Sequence, residues 1–286
     1  RMKLLKEKVK NNRFQGVLSI LNVVPDSFDT NFSFDLENDD DFQKGAEISY
    51  SLKEKHRLSS NYYRILDVDI DDYGCEIDGE FYKNFASYNN GTELSLYIDN
   101  VNYQKSEVTL RGSVVADLLS VATFDNVIVR YHVHGLTKRE YEALSLFQEL
   151  VYESYLLEIR QDNKLSFFSY FTAIEALVAL YLEDYKLKLY SELHYSLEHL
   201  SLDDKIKVIC KESYGIDSLS GVGLWGEFMG TFKKVKEKRN QIAHAKNNVV
   251  VDNDDLDNVF YCLCNLISVL EVQASDFKSV RQHIFS

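Results

Sequence analysis

The hydrophobic pattern of this chain changes period once, near Gly135, and that change constrains the fold more than any other feature. Before it, apolar and polar residues alternate with the period of two that half-buried strands require. The candidate strands are Gly16–Val24, Tyr63–Ile70, Cys75–Tyr82, Leu94–Tyr103, Glu107–Val115 and Asn126–Val133. Turn signals stand at Tyr73-Gly74 and Tyr88-Asn89-Asn90-Gly91. A helix is expected from Asp41 to Lys55. Asp67, Asp69 and Asp71 alternate with Leu66, Val68 and Ile70, which reads as a strand with one wet face.

After Gly135 the repeat lengthens to 3.6. Thr137 offers an N-cap, and apolar residues recur at Tyr141, Leu144, Phe147, Leu150, Val151 and Tyr155 until Asp162-Asn163 breaks the run. Further helices are expected from Leu165 to about Leu182, Leu187 to His199, Leu202 to Tyr214, Leu224–Lys246, and from about Asp254 past Val272. The expected fold class is therefore α+β. An N-terminal β-rich domain over residues 1–135, an antiparallel sandwich or barrel-like sheet, precedes an all-α bundle over 136–286.

The 286 residues, 45% of them hydrophobic and 13% aromatic, suffice for two cores. A net charge of −13 excludes indiscriminate duplex binding, which needs a broad basic surface. The four cysteines (Cys75, Cys210, Cys262 and Cys264) lack CxxC spacing and read as reduced core thiols. No apolar run is expected to reach the roughly 20 residues of a membrane span, and the N-terminus lacks a signal-peptide core. The expected location is the cytoplasm, with no membrane partner.

One basic island interrupts the acidic chain. Between Thr231 and Lys246, Lys233, Lys234, Lys236, Lys238, Arg239 and Lys246 face a single acid, Glu237. Within it, Arg239 and His244 are five apart, pairing a phosphate-binding fork with a side chain that exchanges protons near neutral pH. RNA cleavage by 2′-hydroxyl attack needs a base, an acid for the leaving 5′-oxygen and a cation over the phosphorane, and needs no metal. On an ideal helix Arg239 and His244 lie about 140° apart, whereas Asn240 and His244 share a face.

The Arg239–His244 spacing resembles the Arg-x4–6-His signature of HEPN domains, helical ribonucleases of prokaryotic toxin and antiviral defence (abortive infection) systems. Phe171-Thr172-Ala173-Ile174-Glu175-Ala176-Leu177 is similar to a helix of the Apea-like HEPN branch. The resemblance covers residues 137–286. It implies a homodimer whose two motifs form one composite endoribonuclease site, without a cofactor. Arg239 would hold the scissile phosphate, His244 transfer the proton, Asn240 position the 2′-hydroxyl or a phosphate oxygen, and Glu175 orient the pair. Lys233, Lys234, Lys236, Lys238 and Lys246 would steer RNA, tRNA among the candidates. The β-rich domain is then expected to be a sensor of an unknown ligand or trigger. The alternatives are a non-catalytic HEPN dimerisation module and a nucleotide-binding partner of a nucleotidyltransferase.

Two other patterns lead elsewhere. His132-Val133-His134 puts two imidazoles on one strand face, but no nearby residues complete a ligand set, and no metal is expected. Ile20-Leu21-Asn22-Val23-Val24-Pro25-Asp26-Ser27-Phe28 resembles a dihydropteroate synthase signature. That family's phosphate-binding segments are missing, and the consecutive helices after 137 lack the alternation of a barrel.

Overall fold

A computed structural model of the chain describes residues 2–35, 48–58, 62–77, 80–83, 93–103, 105–116, 123–244 and 249–286. The architecture is α+β, with antiparallel sheets followed by helices. The chain divides into two compact units, though not at residue 135. One contains the chain up to Asn22 and from Leu144 onward; the other is Val23–Ala143. The β unit is thus inserted into the helical unit.

The first two helices explain the difference. α1 spans Met2–Asn11 and α2 spans Arg13–Leu21. The strand expected at Gly16–Val24 is a helix as far as Leu21. Arg13, Gly16, Val17, Ile20 and Leu21 are buried, the spacing of a helical stripe. The alternating reading failed because Val17, Leu18, Ile20 and Leu21 are apolar on both sides of Ser19. Asn22 ends α2 in the left-handed region, φ 54°. The dihydropteroate synthase-like stretch is accordingly a helix end followed by a strand.

The β unit is a two-sheet sandwich. β1 (Asp26–Asp35), β7 (Thr123–Leu136), β3 (Arg64–Ile77) and β4 (Glu80–Lys83) form one sheet in that order. β2 (Ile48–Arg57), β6 (Glu107–Ala116) and β5 (Glu93–Asn102) form the other. All pairings are antiparallel. Leu52, Leu94, Val108 and Leu110 of one sheet share a buried cluster with Val68, Val127, Val129 and Val133 of the other. The helix expected at Asp41–Lys55 is corrected where it is described. Ile48–Arg57 pairs along its whole length with Ala116–Glu107 of β6. Its run of charges imitates a solvated helix, yet Leu52, His56 and Leu58 point inward while Lys53, Lys55 and Arg57 point out. Residues 41–47 and the turn at 88–91 lie outside the described residues. The short helix α3 (Lys138–Glu142) closes the unit with Thr137 as its N-cap, in a capping box with Glu140.

The helical unit continues with α4 (Leu146–Ile159), α5 (Asn163–Lys186), α6 (His194–Glu198), α7 (Leu202–Tyr214), α8 (Trp225–Ala243), α9 (Asn253–Val272) and α10 (Phe277–Ile284). The helix expected at Leu187–His199 is a 3-10 turn, Ser191–Leu193, and the single turn of α6. α9 is buried at every residue from Val259 to Leu270 and forms the centre. Gly215 ends α7 at φ 65°, where its lack of Cβ removes the left-handed strain. Cys210, Cys262 and Cys264 are free and buried, as expected, while the side chain of Cys75 falls outside those described. The expectation that no apolar run spans a bilayer needs correction. α5 is long and apolar enough by length and composition, because Glu175 is the one charge between Leu165 and Leu182; half of its apolar window is buried.

Candidate functional site

The motif occupies the C-terminal half of α8. The N-terminal half of that helix docks through Phe228, Thr231, Phe232 and Val235, a stripe at helical spacing. Phe232 stacks on Phe171 of α5 with ring centroids 6.0 Å apart. Each fully buried phenylalanine contributes roughly 1.5–3 kcal/mol of transfer free energy, so this contact fixes the helix. Arg239 comes four residues after Val235 and continues the same stripe.

Arg239 is therefore directed at the bundle. Its guanidinium carbon lies 5.3 Å from the centroid of Phe168 and 5.6 Å from that of Phe171. Its Nη2 is 3.6 Å from Glu175 Oε1, an ion pair longer than a hydrogen bond. Its Nε is buried with no hydrogen-bond partner among the described residues. The structure thus brings together Arg239 and Glu175, on α8 and α5. Phe168 and Phe171 were not anticipated as parts of this site. The available signal was their spacing, seven and four residues before Glu175 on one helix.

Asn240 and His244 are exposed. His244 is the C-cap of α8, and its backbone N–H donates to the carbonyl of Asn240 at 3.0 Å. The two side chains belong to one face of the helix end, separate from the aromatic seat of Arg239.

The lysines divide into two groups. Lys236 Nζ donates to Asp203 in the first turn of α7 at 2.6 Å. Lys238 Nζ lies 2.8 Å from Asp255 in the first turn of α9. Lys233 and Lys234 are exposed and form no ion pair among the described residues. Lys246 lies outside the described residues. Three residues within about one turn of α8 thus tie it to α7, α9 and α5.

No family model, curated protein or solved structure matches this chain.

Elsewhere, the polar face of β3 and β7 gathers ionisable groups. His132 Nε2 lies 3.6 Å from Asp71 Oδ2. Burial and the neighbouring Asp69 carboxylate push Asp67 up to about 6, and burial pushes His134 down. Among the described residues no three such groups are placed to hold a metal ion.

Proposed function

We propose that the chain is a metal-independent endoribonuclease of the HEPN type, acting as a homodimer in which two copies of α8 face one RNA cleft. The observation that carries this reading is the division of labour on α8. Arg239 is fixed against Phe168, Phe171 and Glu175, while Asn240 and His244 stand exposed at the helix end. A permanently charged group held in place on the helix that ends in an exposed imidazole, doubled in two facing copies, supplies the cation and the proton carrier that 2′-hydroxyl attack demands. Arg239, its side chain 29% exposed, binds the phosphate, His244 moves the proton, Asn240 positions an oxygen, and Glu175 orients Arg239. Lys233 and Lys234 steer the RNA. The β unit, inserted into the helical unit, is the regulatory module.

The test is incubation with total tRNA and a structured messenger RNA in EDTA, comparing wild type with His244→Ala. Cleavage by wild type, leaving 2′,3′-cyclic phosphate ends, and a loss of about 10²–10⁴-fold in the variant are expected. Equal cleavage by both proteins would remove His244 from the mechanism. No cleavage by either would favour a second reading, a non-catalytic dimerisation or binding module. That reading draws support from the ion pairs of Lys236, Lys238 and Arg239, which use three of the motif's cations inside the bundle.

A further inference from the structure

His56 lies on β2 with 6% of its surface exposed, its ring turned into the sandwich. Nδ1 is 2.8 Å from the hydroxyl of Tyr131 on β7, in the opposite sheet. The Tyr131 ring stands edge-on at 6.1 Å, and Phe32 of β1 packs at 5.4 Å. His56 therefore bridges the two sheets through a polar contact. Its Nε2 is buried and has no hydrogen-bond partner among the described residues.

Among the described residues no carboxylate is bonded to His56. Across the ladder His56 faces Val108, which is fully buried. Tyr131 and Phe32 present a phenol and a phenyl ring, and burial pushes the Tyr131 phenol far above its usual range, so it stays uncharged. Along the inward face of β2 the charged neighbour is Glu54, half-buried. Lys55 and Arg57 point the other way. No charge contributes to the titration of His56; burial alone holds its pKa below the ordinary value. Either neutral tautomer satisfies Nδ1 through Tyr131. A second proton turns both ring nitrogens into donors and leaves a charged Nε2–H buried without an acceptor, which costs far more than a neutral orphan.

We propose that His56 is an acid-operated latch of the β unit: neutral, it joins the two sheets through Tyr131, and protonation opens them. The folded-state pKa is depressed, so the stability this group contributes is present above the ordinary imidazole pKa and is lost as pH falls below it. Asp67, pushed up to about 6, and His134, pushed down by burial, lie on the outer face of the other sheet, so the latch is read as a difference between proteins that both retain them.

The test is amide hydrogen exchange of the full chain at pH 7.5 and 5.5, corrected for intrinsic exchange, following β2, β6 and β7. An open-state imidazole of ordinary pKa is about tenfold protonated at pH 5.5. The opening of wild type should therefore increase about tenfold more than that of His56→Gln. An equal increase in the two proteins would overturn the proposal. A second measurement covers a variant that fails to fold: the ring resonances of His56 in wild type should stay neutral down to pH 5.5. Titration near the ordinary value in the folded protein would overturn the latch directly.

Discussion

Arg239 is held by its plane as much as by its charge. The guanidinium covers Phe168 and Phe171, whereas its carboxylate partner is 3.6 Å away and the two side chains are 29% and 36% exposed. A screened pair of this kind contributes about 1 kcal/mol or less, and stacking on aromatic rings contributes about 0.5–2 kcal/mol. Arg239→Lys keeps the charge and loses the stack, so it should lower stability in urea unfolding by about 1 kcal/mol. Glu175→Gln should lower it less. A larger loss from Glu175→Gln would mean that the ion pair, and not the stack, fixes the guanidinium. The arginine–histidine spacing was legible in sequence because both residues lie on one helix. The aromatic seat was not, because it forms only when α5 and α8 pack. Asp67 offers a pH test at the same scale. Its carboxyl is pushed above its ordinary value to about 6, so its contribution to stability is present at acid pH and is lost as pH rises through about 6. Thermal unfolding of Asp67→Asn should show a smaller loss of melting temperature than wild type between pH 5 and 7. A parallel loss in both proteins would sink the assignment.

At the scale of elements, α2 decides how the chain is divided. Its Arg13 is buried and hydrogen-bonded to Glu158 of α4 and Asp257 of α9. Tyr170 of α5 adds a 3.5 Å contact to Glu158. Removing one member of a buried ionic group strands the others, at a cost of about 3–5 kcal/mol. Arg13→Met should therefore destabilise the helical unit by that amount in chemical denaturation, far more than Arg239→Lys. A cost near 1 kcal/mol would show that α2 is not essential to the bundle. Gly16 on the same helix has a steric reason: a Cβ there would come within 2.9 Å of the rings of Phe260 and Phe285. Most later elements were legible, since Thr137, Asp162, Ser201 and Gly215 mark helix ends with the chemistry that caps them. Failures fell at α2 and β2, at the helix expected over Leu187–His199, and at the turn expected at Tyr73-Gly74, which lies inside β3. In α2 and β2, local composition favoured one period and tertiary pairing selected the other: the packing of α2 on α4, and the ladder between β2 and β6.

If the chain acts on RNA as proposed, the deciding quantity for the whole molecule is how much positive charge remains available to the nucleic acid. The chain carries −13 overall, and its basic island places two lysines and its arginine in ion pairs with Asp203, Asp255 and Glu175. Among the described residues of the island, Lys233 and Lys234 remain exposed. Each phosphate neutralised on a single strand contributes about −0.7 to the slope of log affinity against log salt. Arg239 on the scissile phosphate and two free lysines therefore predict a slope of about −2.1 per copy, roughly −4 for a dimer, instead of the steep dependence of a basic nucleic-acid binder. Filter binding of single-stranded RNA to His244→Ala, at salt concentrations from about 50 to 200 mM, would measure it without cleavage. Lys233→Ala and Lys234→Ala should each flatten the slope by about 0.7 per copy. Lys236→Ala and Lys238→Ala should leave the slope unchanged and lower the melting temperature, since their ammonium groups tie α8 to α7 and α9. A steep slope that Lys236→Ala also reduces would mean that RNA displaces the internal carboxylates, and that the bundle rearranges when it binds.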